Sequence, residues 1–178
     1  IALASQNILS DLFCYFVIFF DRPFEVGDFI TVDDKAGAIS HIGIKTTRIK
    51  SISGEEIVFS NKDLTDSRVH NFKKMQKRRV VFQLDIVYET AVETLEQIPG
   101  LLKNIIENIE GTTFDRAHFA SYGASSLKYE AVYYIASGDY NKYMDTQQAI
   151  NLSIFRNFSE KNIQFAYPTQ TLFMANAN

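Results

Sequence analysis

The sequence predicts an α+β fold with an N-terminal helix, a small β-barrel and a second domain in which strands and helices alternate. Residues 1–20 keep apolar side chains at helical spacing, residues 22–72 hold short strands separated by tight turns, and residues 80–174 alternate strands with longer helices. The charge balance also changes near Arg79, from +4 over residues 22–79 to −5 over residues 80–178. Such a change favours a domain boundary in this region.

The N-terminal helix contains an uncharged apolar run of nine residues, Leu12–Phe20, between Asp11 and Asp21. A bilayer span needs about 20 apolar residues, so this run is too short to be one. A water-soluble domain rarely exposes such a run, and we expect lipid headgroups, neighbouring subunits or both to cover it. The alternative is a core helix packed on the following domain. The single cysteine, Cys14, is interpreted as a small hydrophobic residue.

The next segment has the short strands and turn residues of a small barrel. The predicted strands are Phe29–Val32, Ala38–Ile44, Thr46–Ile49, Glu56–Phe59 and Arg68–Phe72. Gly43 predicts a bend or bulge, and Ser53-Gly54 predicts a two-residue hairpin turn. Five strands in about 50 residues are typical of a strongly bent barrel of the SH3 or Sm-like type.

A basic link, residues 73–79, leads to a predicted β-α-β-β-α-β order, which is the ferredoxin-like arrangement. The predicted elements are strands Val80–Val87, Phe114–Tyr122, Leu127–Ala136 and Thr169–Phe173 and helices Thr90–Ile109 and Asp139–Lys161. Thr90 and Glu93 predict a capping box, and Pro99-Gly100 predicts a kink or a split in the first helix. The expected domain limits are 1–21, 22–73, 74–168 and 169–178.

The side chains that carry chemistry do not form a catalytic pattern in the sequence. His41, His70 and His118 fall in separate elements without metal-ligand spacing. The chain has no glycine-rich phosphate loop and no nucleophile motif. We therefore expect no catalytic residues, no metal and no cofactor, and we predict that the protein is not an enzyme.

Several motifs, taken in order, resemble the mechanosensitive channel of small conductance (MscS) family. They are an apolar helix followed by RPFEVGD at 22–28, SNKDL at 60–64, HNF at 70–72 and AYP at 166–168. The resemblance covers nearly the whole chain. It implies that Gln6 and Asn7 lie at the kink of the pore helix, although many members carry glycine where Asn7 stands.

The resemblance also assigns roles to residues further along the chain. The half of the pore helix that lies along the membrane surface would include Leu12, Phe13, Phe16, Phe19 and Phe20. The start of the β-domain would be Arg22, Pro23, Phe24, Gly27 and Asp28, and its later motif residues Asn61, Asn71 and Phe72. Ser60 stands where the family has proline before Asn61. Tyr167 and Pro168 would form the last corner before a C-terminal barrel strand.

The family implies a tension-gated, weakly selective ion channel that releases ions and small osmolytes on hypo-osmotic shock. The implied partners are further copies of the chain in a homo-heptamer, membrane lipids, and permeating ions and osmolytes, with no nucleic acid. The implied location is the bacterial inner membrane, with this portion in the cytoplasm. The narrow constriction of the pore is expected before Ile1.

The basic residues of the link leave three interpretations open. They are Lys73, Lys74, Lys77, Arg78 and Arg79. They could line the vestibule and portals and bias which ions pass, they could form a solvated linker, or they could contact phosphates. The alternative function is a soluble Sm-like and ferredoxin-like module that binds nucleic acid or a protein partner. The N-terminal helix discriminates between the two functions, because a channel needs upstream spans.

Overall fold

Two antiparallel sheets, each in its own compact unit, confirm the predicted α+β fold class. The structure is a computed structural model that describes residues 2–170, with side chains described from Leu9 onward. The two units are residues 1–75 and residues 76–178. The first contains α1 (Ala2–Asp21), β1 (Phe29–Val32), β2 (Lys35–Ile42), β3 (Thr46–Ser51), β4 (Glu56–Ser60), α2 (Asn61–Asp66) and β5 (Val69–Asn71). The second contains β6 (Arg78–Ile86), α3 (Val92–Glu107), β7 (Thr112–Tyr122), β8 (Leu127–Ile135) and α4 (Tyr140–Glu160).

The first unit is built on a five-stranded sheet in the order β4-β3-β2-β1-β5. Alternate residues of its strands point inward and form one apolar core, because side chains alternate between the two faces of a strand. The buried members of this core are Ile18, Phe24, Ile30, Val32, Ile39, Ile49 and Leu64. Ile18 belongs to α1, so the C-terminal half of that helix packs on the barrel.

Two turns of the barrel differ from the prediction. The irregularity in β2 falls between Ile39 and His41, whereas Gly43 lies in the following turn, where its amide donates to the Thr46 carbonyl. The β3–β4 hairpin has three residues, 52–54, between the hydrogen-bonded Ser51 and Glu55. Gly54 has φ +100°, which suits the glycine of a three-residue loop with a bulge. The predicted two-residue turn is therefore wrong.

The short helix α2 was not predicted. Ser60 caps it, since its hydroxyl accepts a hydrogen bond from the Asp63 amide at 3.0 Å. Leu64 on the inner side of α2 is buried in the barrel core. A serine followed three residues later by an acid is a helix-start signal, so the sequence did carry a local indication of this helix.

The second unit packs two helices on one face of a three-stranded sheet in the order β6-β8-β7. Alternate residues of β8, from Leu127 to Ile135, are buried against both helices. Residues 164–166 lie along the free edge of β6, where Phe165 pairs with Ile86 and the Ala166 amide donates to the Asp85 carbonyl. This segment occupies the fourth-strand position of a ferredoxin-like sheet.

Four predictions for the second unit need correction. The helix α3 begins at Val92 without a side-chain cap, and the Thr90 hydroxyl donates to the Val87 carbonyl instead of capping the helix. Of the kink or split predicted at Pro99, the split does not occur, because α3 continues to Glu107, and the kink stays a prediction. Arg78 and Arg79 belong to β6 and not to the link. Residues 164–166 take the edge position beside β6, earlier in the chain than the predicted final strand at 169–173. Residues 169 and 170 are not in a strand, and residues 171–173 fall outside the described residues.

Over the described residues, no helix is both long enough and apolar enough to span a bilayer.

Candidate functional site

One face of α1 is fixed to the barrel by an ion pair, a hydrogen bond and a buried side chain. The Asp11 carboxylate lies 3.7 Å from the Lys45 ammonium group. The Thr65 hydroxyl of α2 donates to the Cys14 sulfur at 3.2 Å. Ile18, one turn further on, is buried in the barrel core. The interpretation of α1 as a packed helix therefore holds for this face.

Between Leu9 and Phe20, the opposite face of α1 carries only apolar side chains, and they are exposed. Its members, here called the apolar arc, are Leu9, Leu12, Phe13, Phe16, Val17, Phe19 and Phe20. Phe13 is 63% exposed and Phe20 is 72% exposed. At 100° per residue the apolar arc spans about 160° of the helix circumference, without a polar residue inside it. Exposed apolar surfaces of this kind mark contacts with a membrane or with another protein.

The aromatic rings of the apolar arc also contact one another. Phe16 and Phe20 stack at 6.2 Å between ring centroids, and Phe19 meets Phe20 edge to face at 5.3 Å. All five residues that the resemblance assigned to the membrane surface lie on the apolar arc. Gln6 and Asn7 lie within α1, but their side chains fall outside the described part, so the predicted kink stays a prediction.

Asp28 is a buried carboxylate at the start of the barrel. Its Oδ2 atom accepts hydrogen bonds from the Glu25 amide at 3.0 Å and from Asn71 Nδ2 at 2.7 Å. Its Oδ1 atom lies 3.3 Å from Lys73 Nζ. Burial alone would raise the pKa of Asp28, but the hydrogen bonds from Asn71 and Glu25 and the charge of Lys73 together hold that pKa below its usual value of 3.8. The carboxylate therefore stays charged in the folded protein.

The residues that leave the barrel bind back to the residues that enter it. Asn71 Nδ2 also donates to the Pro23 carbonyl at 3.1 Å, and Lys74 Nζ donates to the Arg22 carbonyl at 2.6 Å. We call this group the junction clamp. It consists of Arg22, Pro23, Asp28, Asn71, Lys73 and Lys74. It joins the C-terminal end of α1 to the last strand of the barrel.

The other predicted residues of the barrel have structural positions. Phe24 is buried in the core, and the ring of Phe72 meets Phe29 edge to face at 6.1 Å. Gly27 has φ +89°, a conformation that side-chain-bearing residues rarely adopt. It turns the chain between the end of α1 and β1.

Asn61 organises a turn of the barrel from a fully buried position. Its Nδ2 atom donates to the Gly43 carbonyl at 2.8 Å and to the Ile44 carbonyl at 3.0 Å. Its Oδ1 atom accepts from the Thr47 hydroxyl at 2.9 Å. The same turn contains Lys45, which reaches Asp11 of α1, so Asn61 helps to position that ion pair.

The predicted basic residues do not form one cluster. Lys73 and Lys74 belong to the junction clamp, and the guanidinium of Arg78 lies 5.0 Å from the centre of the Tyr143 ring. Lys77 and Arg79 are exposed. Tyr167 and Pro168 are exposed as well, directly after the segment that pairs with β6.

Within the described ranges, no three His, Cys, Asp or Glu side chains lie close enough together to be possible metal ligands.

The structure also identifies residues that the sequence did not indicate. The contacts of Asp11 with Lys45 and of Cys14 with Thr65 join segments far apart in the chain. No local sequence pattern predicts such pairs. For Asp11 and Lys45, the only indication in the sequence is that their charges are opposite.

Comparison with known proteins places this arrangement among mechanosensitive ion channels. The family profile described as "Mechanosensitive ion channel, beta-domain" matches residues 7–74, and the profile described as "Mechanosensitive ion channel MscS, C-terminal" matches residues 80–165. The chain belongs to the MscS family. This is a family of ion channels and not of enzymes.

Two curated relatives come from Methanocaldococcus jannaschii. The chain is 35% identical to the large-conductance mechanosensitive channel MscMJLR, over 98% of this chain and 50% of that protein. It is 31% identical to the small-conductance channel MscMJ, over 100% of this chain and 51% of that protein. The chain thus spans about half the length of the curated relatives it matches. The structure of Arabidopsis thaliana MSL1 shares the fold, with a TM-score of 0.83 at 16% identity over 94% of this chain and 61% of that chain.

Proposed function

We propose that this chain forms the lower end of the pore helix and the cytosolic region of a tension-gated, weakly selective ion channel. The channel would release ions and small osmolytes when the cell meets hypo-osmotic shock. The observation that carries the proposal is the two-faced character of α1. One face is fixed to the barrel, while the apolar arc on the other face has no cover within the described residues.

The apolar arc suits the surface of a bilayer. Full burial of one phenylalanine side chain contributes about 1.5–3 kcal/mol, so Phe13, Phe16, Phe19 and Phe20 together strongly favour a lipid or protein environment. A helix with such a face lies in the membrane interface and follows its lateral displacement. Tension favours the state of the channel that occupies more membrane area.

The attachment of α1 to the barrel gives this displacement a route into the cytosolic region. Ile18 lies in the barrel core, and Asp11 and Cys14 contact β-domain residues. A displacement of α1 at the lipid surface therefore acts on the barrel through packed side chains, not through a flexible connection. We infer a homo-heptamer around a shared pore in the bacterial inner membrane, with both units on the cytoplasmic side.

The alternative, a soluble module that binds nucleic acid or a protein partner, has less support. Nucleic-acid binding depends on free basic side chains that can approach phosphates. Here Lys73 is paired with Asp28, and Lys74 donates to the Arg22 carbonyl. Fewer of the five basic residues are therefore free to contact phosphate. The alternative function also does not explain why the apolar arc is exposed.

The test uses the natural full-length protein in cells that lack their own tension-gated channels. We expect currents in excised patches when membrane tension rises, survival of an osmotic downshock, and a ring of seven copies by native mass spectrometry. Absence of tension-gated current would contradict the channel, and monomers or hexamers would contradict the heptamer. A salt-sensitive mobility shift with RNA would favour the alternative.

A further inference from the structure

A lysine that lies far along the chain contacts the residue that ends α1. The helix ends at Asp21, and Arg22 adopts φ +46° while its amide donates to the Ile18 carbonyl at 3.1 Å. This is the usual way in which a left-handed residue ends a helix. The carbonyl of that same residue accepts a hydrogen bond from Lys74 Nζ at 2.6 Å.

A positive charge near the C-terminal end of α1 is stabilising. A helix C-terminus carries partial negative charge, and Asp21 adds a full carboxylate. The last turn of α1 has no basic residue of its own, and Arg22, which follows directly, pairs its guanidinium with Glu25 at 3.2 Å. Lys74 brings a second cation to this helix end. It comes from the segment that leaves the barrel.

The neighbouring contacts of the junction clamp restrain the same segment. Asn71 donates to the Pro23 carbonyl, and its Oδ1 atom accepts from the Lys73 amide at 3.0 Å. Lys73 is paired with the buried Asp28. The chain leaving the barrel is thus bound at three positions, Asn71, Lys73 and Lys74, and Lys74 makes the last of these contacts.

We propose that Lys74 is a positioning residue that ties the C-terminal end of α1 to the chain leaving the barrel. A displacement of α1 then carries the exit segment, residues 72–77, along with it. This inference rests on the proposed function, because it takes α1 to be the element that tension displaces. It concerns how a displacement of α1 reaches the exit segment.

The test compares three variants of the full-length channel. Lys74→Met removes the cation and keeps most of the side-chain length, Lys74→Arg keeps a donor, and Lys50→Met is the matched control at an exposed lysine of β3. We expect amide hydrogen exchange in residues 72–77 to become about tenfold faster in Lys74→Met, near wild type in Lys74→Arg and unchanged in Lys50→Met. In excised patches, Lys74→Met channels should open at a lower midpoint tension than wild type. The reason is that α1 can then move without having to displace the exit segment.

Each result bears on the inference. Unchanged exchange in Lys74→Met would show that the contact does not hold the segment. Faster exchange with an unchanged midpoint tension would reduce Lys74 to a local helix cap, and the coupling would be wrong. A wild-type protein without tension-gated current overturns the proposed function. A normal wild-type current with an unaltered Lys74→Met midpoint overturns only this inference.

Discussion

Tyr129 donates its hydroxyl to the Leu95 carbonyl at 2.9 Å, and this bond replaces one that α3 cannot make for itself. In a regular helix the Leu95 carbonyl would accept from the amide of residue 99, but Pro99 has no N–H group. Tyr129 is 1% exposed and lies on the central strand β8. Burial raises the pKa of Tyr129, which keeps the hydroxyl protonated as a donor. The sheet therefore satisfies a carbonyl that the proline leaves open.

Replacement of Tyr129 by phenylalanine tests this relationship. Tyr129→Phe leaves the Leu95 carbonyl without a partner, and we expect it to lower the free energy of unfolding by about 1–3 kcal/mol. Chemical unfolding of the purified protein measures this loss. Tyr122→Phe, at a side chain that is 75% exposed, is the control and should change stability by less than about 0.5 kcal/mol.

Combining Tyr129→Phe with a second substitution isolates the contribution of this hydrogen bond. Pro99→Ala restores an amide donor at position 99, so the Leu95 carbonyl regains its helical partner. In that background Tyr129→Phe should cost clearly less than in the wild type, and the difference is the coupling energy of the pair. An equal cost in both backgrounds would mean that the tyrosine acts only through packing.

The continuity of α3 shows why part of the fold could not be predicted from the sequence. Pro99-Gly100 is a local signal for a break, but the compensating donor comes from β8, 34 residues away. The bulge near Ser40 and the three-residue turn ending at Gly54 likewise depend on strand register, which local patterns define poorly. The helix α2 was missed because six residues are too few to show periodicity.

The elements with strong periodicity were predicted well. The alternation of β8 gave the right element type, the predicted helix 139–161 matches α4 closely, and the predicted α+β class is confirmed. For the candidate site, the resemblance indicated the residues but not their contacts. Asp28 and Asn71 stand 43 residues apart, and only folding of the barrel brings their side chains together. Their importance as a pair could not be deduced from spacing.

Asp28 should make stability depend on pH. Its pKa in the folded protein lies below the ordinary 3.8, so its contribution is full above that value and is lost as pH falls through the lower folded pKa. Asp28→Asn should therefore lower the free energy of unfolding by about 1.5–3 kcal/mol at neutral pH, and its difference from wild type should narrow below about pH 4. Unfolding curves between about pH 7 and pH 3 measure this.

Two further variants sharpen the Asp28 prediction. Lys73→Met removes a charge that lowers the pKa of Asp28, so the folded-state pKa should rise toward the ordinary value. The loss of stability on acidification should then be smaller, and it should be complete at a higher pH than in the unaltered protein. Asp66→Asn, at an exposed carboxylate, is the control and should leave the free energy of unfolding at neutral pH within about 0.5 kcal/mol of wild type. A pH-independent difference between Asp28→Asn and wild type would show that the carboxylate charge is not what stabilises the junction.

Lys77 and Arg79 are the best candidates for charges that bias permeating ions. All four residues are exposed, but Lys73 and Lys74 also make contacts within the junction clamp. Reversal of both charges, Lys77→Glu with Arg79→Glu, should shift the reversal potential in a salt gradient toward cation preference, because a lining of negative charge raises the local cation concentration. Lys77→Arg with Arg79→Lys keeps the charge and is the control. Equal reversal potentials in all three channels would remove these residues from the permeation path.

A charge placed in the apolar arc should weaken the hold of α1 on the membrane. Phe16 is 42% exposed and lies near the middle of the arc, so Phe16→Asp exchanges a side chain worth about 1.5–3 kcal/mol of apolar burial for a carboxylate that resists leaving water. We expect full-length Phe16→Asp channels to need a higher midpoint tension in patch recordings, since the helix follows lateral displacement of the lipid less closely.

The control for this change is Ile52→Asp, at an apolar side chain that is 76% exposed in the β3–β4 turn. It adds the same charge to the same unit without touching α1, and its midpoint tension should match the wild type. If both variants shift the midpoint alike, added charge and not the lipid-facing position is responsible. If neither variant shifts the midpoint, the apolar arc is not the surface through which tension acts. A neighbouring subunit, and not lipid, is then the better explanation of what covers the apolar arc.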